Sequence, residues 1–344
     1  MPVSLRRLDV SSDRLEVITA LRRLLHPEFD ERRFDWLYVN SPFGAARAWV
    51  ACDSEKGAIV GCAAGFPRRI CFGGNEKVGL VFGDFCLDPE YRSLGPALQL
   101  QRACLADASQ PPFAFCYDFP SKSMMAVYKR LGITQCGTLV RWAKPLRTEG
   151  KLEPIIGSRP LARGLTSLAD AALALRGWKG GKSACAIALH DGPFGAEFSE
   201  LDEKLRAQPG ARTLRTSEFL NWRYQSYPDK KHEIITARRA GALVGWVVFT
   251  RDEEDTSIVD LSSIEEPAVI TRLLAAAVER LRHHRATTVS MNAGDKHPWS
   301  AIFHRAGFRP REESPVVVSV PSGGTLLLAD FQEGWYVMRG ERDS

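Results

Sequence analysis

Short runs of alternating apolar and polar residues recur along the chain, and longer stretches with helical periodicity separate them. In the first half, this pattern predicts strands at 48–52, 60–66, 80–87, 113–117 and 138–144, and helices at 96–106 and just before residue 132. In the second half, it predicts strands at 233–238, 244–249, 257–261, 288–292 and 315–320, and helices at 268–283 and just before residue 307. Gly132 and Gly307 suit the position that ends a helix. A strand meander, a crossover helix and further strands predict an α+β fold in three layers, with a mixed β-sheet flanked by helices.

The two halves carry similar motifs in the same order, which indicates an internal repeat. Both halves contain a segment with Trp, Tyr and Pro in the same spacing. Trp222, Tyr224 and Pro228 each stand 186 positions after Trp36, Tyr38 and Pro42, respectively. The matched segments, first copy and second copy, are 34–42 and 219–228, 57–61 and 241–245, 81–84 and 258–260, and 130–133 and 305–308. The displacement falls to 175 at the last pair, as expected if the second copy has shorter loops.

Length and composition are those of an ordinary globular protein. At roughly 150 residues per domain, 344 residues predict two domains, with a single domain as the alternative. We expect the boundary in the stretch 146–160, which is rich in Gly, Pro and charge, and this gives units of 1–150 and 151–344. The 44% hydrophobic and 25% charged fractions exclude a disordered or coiled-coil chain. A net charge of +5 fits an anionic small ligand and is too small to indicate nucleic acid binding.

The eight cysteines stand singly, because no two are closer than nine residues. The Cys-x-x-Cys spacing of metal and redox sites is therefore absent, and we expect no metal. Free thiols in apolar runs are typical of the cytoplasm, where we place the protein. No apolar run reaches the ~18 residues of a membrane-spanning helix, so we expect no span, while peripheral membrane contact stays open. The basic, Gly-rich stretch 176–182 lacks the spacing of a phosphate loop and is interpreted as a surface turn.

The most informative segment is 83–97, Gly-Asp-Phe-Cys-Leu-Asp-Pro-Glu-Tyr-Arg-Ser-Leu-Gly-Pro-Ala. Here a strand ends, a turn follows, and a helix begins. A helix N-terminus offers unpaired N–H groups and partial positive charge. Gly95 allows close approach of a ligand, and Pro96 in the first helical turn sacrifices no hydrogen bond. With the charge of Arg92, this turn is able to hold a pyrophosphate; an ordinary strand–turn–helix with a surface Arg is the alternative.

This segment resembles the signature of the GNAT (GCN5-related N-acetyltransferase) superfamily of CoA-dependent N-acyltransferases. That signature is a strand, then Pro-Glu-Tyr-Arg, then Arg/Gln-x-x-Gly-x-Gly/Ala, and both motifs occur here, at 89–92 and 92–97. The second family block, Asn-x-x-Ala-x-x-x-Tyr-x-x-x-Gly-Phe, is similar to 121–133. Its Tyr and Gly match, whereas Ser121, Met124 and Ile133 depart from it. The resemblance covers about 1–145 and, more weakly, 195–320, which implies a tandem GNAT of two mixed-sheet units.

The resemblance implies transfer of an acyl group from acetyl-CoA or a longer acyl-CoA to a primary amine, such as an amino sugar or an amino lipid. Residues that the family motifs place at the CoA are Phe85, Cys86, Leu87, Arg92, Ser93, Leu94, Gly95, Pro96, Ala97 and Ser121. Among these, a backbone N–H of the strand 85–87 would polarise the thioester carbonyl. The acceptor would be a small molecule, and the chain gives no indication of its oligomeric state.

Two residues are the candidate catalytic groups under this resemblance. Tyr128 matches the family Tyr that protonates the leaving thiolate, although a buried Tyr packing on the core is the alternative. Asp84 is the candidate general base, because burial in an apolar strand would raise the pKa of a carboxyl group. Its counterpart Asp260 in the second copy argues equally for a shared structural role. Tyr117 and Asp118 are candidates of lower rank.

The second copy lacks the phosphate-binding turn. Glu265 and Glu266 stand where a pyrophosphate would need positive charge, so we expect CoA in the first half only. We expect the second half to complete the acceptor site, through the helix 222–227 and the loop around His297. Packing of the two aromatic helices on the sheet is the alternative.

Two other functions remain open from the sequence. Fem-type aminoacyl or peptidyl transferases also resemble two fused GNAT units, but they lack a proper pyrophosphate turn and favour more basic surfaces. A non-catalytic acyl-CoA-binding protein would keep Arg92 and Gly95 without needing Tyr128. The acyl length, the amine and the pathway are not encoded in any motif.

Overall fold

The computed structural model describes residues 2–147, 185–251, 256–264, 266–284, 286–321, 324–332 and 334–342. We call residues 2–147 the first half and residues 185–342 the second half. The predicted boundary beyond residue 147, the Gly-rich stretch 176–182, and Glu265 lie outside the described residues. In the part described, no helix has both the length and the apolar character needed to cross a membrane.

The first half contains a strand, two helical segments, a three-stranded meander, and then a helix, a strand, a helix and a strand. Its elements are β1 (Val3–Arg7), α1 (Arg14–Leu24), α2 (Glu31–Phe34), a first π-helix (Asp35–Val39), β2 (Arg47–Asp53), β3 (Ile59–Phe72), β4 (Asn75–Leu87), a 3-10 turn (Pro89–Tyr91), α3 (Leu94–Ala108), β5 (Phe113–Asp118), α4 (Lys122–Arg130) and β6 (Gln135–Pro145).

The second half follows this order with two additions, a short strand after its first helix and a short helix after its last strand. Its elements are β7 (Ala186–His190), α5 (Ala196–Arg206), β8 (Ala211–Thr213), α6 (Ser217–Leu220), a second π-helix (Asn221–Gln225), β9 (His232–Arg239), β10 (Ala242–Thr250), β11 (Ser257–Ser263), α7 (Pro267–His283), β12 (Thr288–Gly294), α8 (Ser300–Arg305), β13 (Arg309–Ser319), α9 (Ala329–Gln332) and a 3-10 turn (Arg339–Glu341). The predicted α+β class, with helices on both faces of a mixed sheet, is confirmed.

The hairpin β3–β4 is longer than the sequence predicts. Its added part runs to the turn at Gly73 and Gly74, whose positive φ angles of 53° and 91° favour glycine. Charged residues in this part hide the apolar alternation that marks the rest of the strands. The added part pairs with β8, so the first half extends its hairpin onto the second.

One sheet runs through both halves, and each half gives its last strand to the other. The strand order is β1-β2-β3-β4-β5-β13-β6-β12-β11-β10-β9-β7. The last strand of the second half, β13, lies between β5 and β6 of the first half. The last strand of the first half, β6, lies between β13 and β12 of the second half, and all three pairs are antiparallel. We call this arrangement the strand exchange. Neither half therefore has a sheet composed only of its own strands.

Trp36 and Trp222, which occupy equivalent positions in the repeat, contact each other about an approximate two-fold axis. Trp36 and Trp222 stack with ring centroids 4.7 Å apart. The indole N–H of each donates to the backbone carbonyl of the other, both at 2.8 Å. On this face of the sheet, one continuous core spans both halves, whereas on the opposite face α3 and α4 cover a core of the first half and α7 and α8 cover a core of the second.

Candidate active site

The strand β4 separates from its neighbour where the candidate residues begin. It pairs in parallel with β5 only from Val78 to Val81, although it continues to Leu87. Opposite β3, its register slips between Gly83 and Cys86, which is a β-bulge formed by Asp84 and Phe85. Asp84 there has φ +50°, a left-handed conformation that costs energy for a non-glycine residue. We call the space between the end of β5 and the part of β4 beyond Val81 the first wedge.

The turn that leaves β4 exposes the start of a helix. Asp88 accepts a hydrogen bond from the N–H of Glu90 at 3.3 Å and so caps the 3-10 turn. Arg92 donates from Nε to the carbonyl of Leu87 at 2.9 Å, which holds its guanidinium group over the end of β4. Residues 92–95 are exposed. The predicted pyrophosphate turn is therefore at the surface, beside the open end of the strand.

The first turn of α3 keeps its backbone donors free of side-chain caps. Ser93 is the N-cap residue and makes no side-chain cap hydrogen bond, and the third residue of the helix, Pro96, has no N–H to donate. The first turn has no acidic residue. A Cβ atom at Gly95 would have open space, with no atom within 4 Å beyond those of its chain neighbours and of the backbone of its own helix, so packing does not require glycine there. The N–H groups of Leu94 and Gly95 and the partial positive charge of the helix suit an anion.

Tyr128 lies on the α3 side of the sheet, in a polar network inside an apolar core. Its side chain is buried, and its hydroxyl donates to Asp118 at 2.7 Å and accepts from Gln101 at 3.1 Å. Burial raises the pKa of Asp118 to about 6, against the lowering effect of the Tyr128 hydrogen bond. Burial and the nearby Asp118 also raise the pKa of Tyr128. Ser121 begins α4 by accepting from the N–H of Met124 at 3.2 Å.

Asp84 lies on the opposite face of the sheet from Tyr128. Its residue exposure is only 3%, and it accepts a hydrogen bond from the hydroxyl of Tyr38 at 2.9 Å. Burial and the carboxylate of Asp84 raise the pKa of Tyr38. Phe82 and Phe85 point into the α3 core, whereas Asp84 points toward the core shared by both halves. The two candidate catalytic groups thus flank β4 and the first wedge from opposite sides.

His26 is a site residue that the sequence analysis missed. It lies between α1 and α2, with its Nε2 atom 3.7 Å from Oδ1 of Asp84. A single histidine in a loop gives no signal in a sequence. The contact joins positions 58 residues apart, so only the fold reveals it.

In the second half, the strand aspartate is saturated with permanent partners. Asp260 accepts from Nε and an Nη of Arg215, both at 2.9 Å, and from the hydroxyl of Tyr224 at 2.7 Å. Arg215 also binds Glu341 at 2.9 Å. Although burial opposes its charge, these carboxylates raise the pKa of Arg215. Asp84 and Asp260 therefore each accept from a tyrosine, whereas a histidine faces Asp84 and an arginine binds Asp260.

The corresponding space between β11 and β12, the second wedge, is filled by the end of the chain. β11 and β12 pair only at Ser257 and Ile258. Beyond that point the C-terminal segment bonds to β12, with Met338 opposite Ala293 and the carbonyl of Val337 accepting from Gly294 at 3.2 Å. At the start of α7, the N-cap residue Glu266 forms an ion pair with Arg239. That hydrogen-bonded guanidinium lowers the pKa of Glu266.

Two residues that were expected in the acceptor wall lie inside cores. His297 is 2% exposed and packs against Trp299, Phe303 and Tyr336. Burial lowers the pKa of this histidine to about 3, so the ring is neutral. Trp222 is buried against Trp36. The loop turns the His297 ring inward, so the ring itself does not face solvent. That the surrounding loop forms part of the acceptor wall stays a prediction.

Thiols lie near the candidate residues, and Cys62 donates from Sγ to the backbone carbonyl of Asp84 at 3.3 Å. All eight cysteines are free thiols, and seven are buried. Burial raises the pKa of Cys116 to about 12, which makes that thiol unreactive. Across the described residues, no group of three or more His, Cys, Asp or Glu side chains is placed to hold a metal ion.

Comparison with solved structures finds close agreement in fold at low sequence identity. A probable N-acyltransferase of unknown function from Enterococcus faecalis V583 aligns with a TM-score of 0.65 and 13% identity, over 93% of this chain and 72% of that chain. A GCN5-related N-acetyltransferase from Anabaena variabilis aligns with a TM-score of 0.65 and 12% identity, over 93% and 73%. Another from Kribbella flavida aligns with a TM-score of 0.59 and 16% identity, over 92% and 71%.

No family model matches the chain, and no curated protein sequence matches it either. Each structural alignment covers more than nine-tenths of the chain, so the shared fold includes both halves. The chain therefore has the fold of the GCN5-related N-acetyltransferases.

Proposed function

We propose that the protein is an acyl-CoA-dependent N-acyltransferase that acts on a primary amine of a small acceptor. One observation carries this proposal: the exposed turn at 92–95, with uncapped N–H groups at the start of α3, lies where β4 leaves the sheet. The same position in the second half has a carboxylate, Glu266, paired with Arg239. This contrast supports a single CoA site, in the first half.

The residues of the turn fit a CoA pyrophosphate. Leu94 and Gly95 would donate backbone N–H groups, Ser93 its uncommitted hydroxyl, and Arg92 its charge. Pro96 and Ala97 continue the helix that supplies the dipole, and Ala97 is small enough to lie buried beneath it. Ser121, at the start of α4, is the remaining proposed contact.

The chemistry needs three contributions from the chain. A backbone N–H among Phe85, Cys86 and Leu87 would stabilise negative charge on the carbonyl oxygen, because β4 has left β5 at this point. When bound, acyl-CoA supplies the activated thioester. Tyr128 would give its proton to the departing thiolate, and its bond to Asp118 holds the hydroxyl in place.

Asp84 is the proposed proton acceptor for the incoming amine. A protonated amine has no lone pair for attack, so one proton must leave first. Asp84 is buried, strained and on the face opposite Tyr128, which supports separate entry of the amine and the thioester. Asp260 lacks this freedom because Arg215 neutralises it.

We further propose that units 1–150 and 151–344 form a tandem pair with one active site. The second half would complete the sheet of the first and close part of the acceptor side through Trp335, whose ring packs 5.4 Å from that of Tyr117 on β5. The free thiols support a cytoplasmic location, and no metal is needed for the chemistry.

The test is release of free thiol from acetyl-CoA and longer acyl-CoAs against a panel of primary amines, with the amide product identified by mass. Release that depends on both substrates supports the acyltransferase. Binding of CoA in calorimetry without release with any amine would instead support an acyl-CoA-binding protein. Transfer from aminoacyl-tRNA, with no CoA binding, would support the Fem-type alternative.

A further inference from the structure

In both halves, the loop before the short second helix presents a cationic or titratable side chain to the strand aspartate. In the second half this side chain is Arg215, next to the N-cap of α6, and it satisfies both oxygens of Asp260 together with Tyr224. In the first half it is His26, in the loop between α1 and α2, which faces Asp84. The equivalent contact is therefore made by a permanently charged arginine at Asp260 and by a histidine ring at Asp84.

The contact in the first half is incomplete. Nε2 of His26 and Oδ1 of Asp84 are both inaccessible to solvent, and neither has a hydrogen-bond partner among the described residues. Their separation of 3.7 Å is too long for a hydrogen bond. A buried carboxylate oxygen without a donor is costly and requires an explanation. Catalytic pairs are often loose in the free enzyme and tighten when the substrate binds.

His26 also links the buried carboxylate to the outside. Its side chain is 28% exposed, whereas that of Asp84 is 1% exposed. Because Nε2 is buried, the exposed part lies elsewhere on the ring. A proton taken up at this site therefore has a route to solvent through the imidazole, which the aspartate alone lacks.

We propose that the amine proton assigned above to Asp84 is taken by its neighbour His26, and that Asp84 orients the His26 ring and balances its charge. This inference rests on the proposed acyltransferase function. His26 Nδ1 accepts one proton from the ammonium group while Nε2–H donates to Asp84. The amine lone pair then forms the C–N bond, the C–S bond breaks, and Tyr128 gives a proton to the thiolate. The extra proton on the newly formed amide nitrogen then passes through solvent and reprotonates the Tyr128 oxygen. His26 releases its own proton to water.

Among the groups around the His26 ring, Asp84 is the acidic partner. In the part of the chain described, it is the carboxylate within ion-pair distance of His26. Tyr38 and Cys62 contact Asp84, and Cys86 contacts Cys62. Arg22 and Arg33 lie against Phe29, which stacks on the His26 ring, and they are engaged by the Phe29 carbonyl and Asp229, respectively. None of these groups replaces Asp84 as acceptor of the ring proton.

The test compares His26→Gln with His304→Gln, an exposed histidine on α8, using acetyl-CoA and the best amine of the panel. Glutamine keeps a donor for Asp84 but cannot take a proton. We expect kcat/KM of His26→Gln to fall about 10²–10⁴-fold. We also expect the acid limb of its pH profile to disappear, with CoA affinity unchanged. In His26→Ala, added imidazole should restore part of the rate.

A readout without substrates completes the test. In protein labelled with ¹⁵N-histidine, the His26 signals, assigned by their loss in His26→Gln, should show the proton on Nε2, and Asp84→Asn should change that tautomer. A folded His26→Gln variant with wild-type kcat/KM and an unchanged acid limb would overturn the role of His26 alone. A wild-type protein that releases no thiol with any amine would overturn the proposed function, and this inference with it.

Discussion

The turn at the start of α3 allows the effect of charge on CoA binding to be separated from the effect on folding. The perturbation is Gly95→Glu, with Gly95→Gln as a control of the same size and no charge. Neither side chain meets an atom of the protein within 4 Å of its Cβ position. Both replace glycine in a helix, which should stabilise the fold by up to about 1 kcal/mol. The Glu charge also complements the helix dipole, by about 0.3–1 kcal/mol.

The same charge should oppose the pyrophosphate. Two unit charges about 5 Å apart interact by about 0.8 kcal/mol in water. Against the two negative charges of a pyrophosphate, the Glu variant should therefore bind CoA about 1.7 kcal/mol more weakly than the Gln variant, or about 15- to 20-fold. Exclusion of water would enlarge this difference. Gly95→Glu should therefore raise the stability of the fold and lower the affinity for CoA.

The assay is calorimetric titration with CoA at low ionic strength, together with thermal unfolding of each variant. The difference between Glu and Gln should shrink near 1 M salt, where the screening length is about 3 Å. If folded Gly95→Glu and Gly95→Gln bind CoA equally well at low salt, the pyrophosphate does not lie at this turn, and the assignment of the CoA site fails.

Three other outcomes test different parts of the molecule. Tyr128→Phe should lower kcat by about 10²–10⁴-fold with CoA affinity unchanged in calorimetry; a wild-type kcat would leave this residue only a packing role. Burial lowers the pKa of His297 to about 3, so the unfolded chain takes up a proton below about 6.5 while the folded protein does not, and stability should fall as pH drops from about 6.5 toward 3. His297→Asn should flatten that dependence in urea unfolding, and an unchanged slope would contradict it. Trp36→Phe and Trp222→Phe each leave a buried carbonyl without its donor and should each cost about 1–3 kcal/mol in urea unfolding; a cost at only one of them would contradict the reciprocal contact.

The features predicted from the sequence are those with local signals. The repeat, the strands and the helix after β4 follow from periodicity and from Gly and Pro positions. The pairing of Asp84 with a Tyr was not predicted, but the repeat placed Tyr38 and Tyr224, and Asp84 and Asp260, at matching positions, and the structure joins each pair.

Features that depend on distant partners were not predicted. The strand exchange gives no signal in the sequence. The apolar pattern of β6 would be the same for antiparallel pairing with strands of either half. His297 follows Asp295 and Lys296, which is typical of a surface loop, yet its ring points inward. At the repeat displacement of 186, His26 corresponds to Arg212 and not to Arg215, which binds Asp260, so the repeat does not align the two contacts. The importance of His26 comes only from the aspartate it faces.

The strand exchange also bears on how a single site, as proposed, is compatible with a second half that keeps its fold. Two copies that trade their last strands and stack equivalent tryptophans have the geometry of an isologous dimer, with its subunits joined in one polypeptide. In a dimer of identical chains, every substitution changes both sites at once. In a fused pair, Arg215 and the C-terminal segment can occupy one site without altering the other. The second half must nevertheless stay folded, because β13 forms part of the sheet of the first half. If the proposed single site is correct, the second half is free to vary in its own wedge while it remains a structural partner of the first.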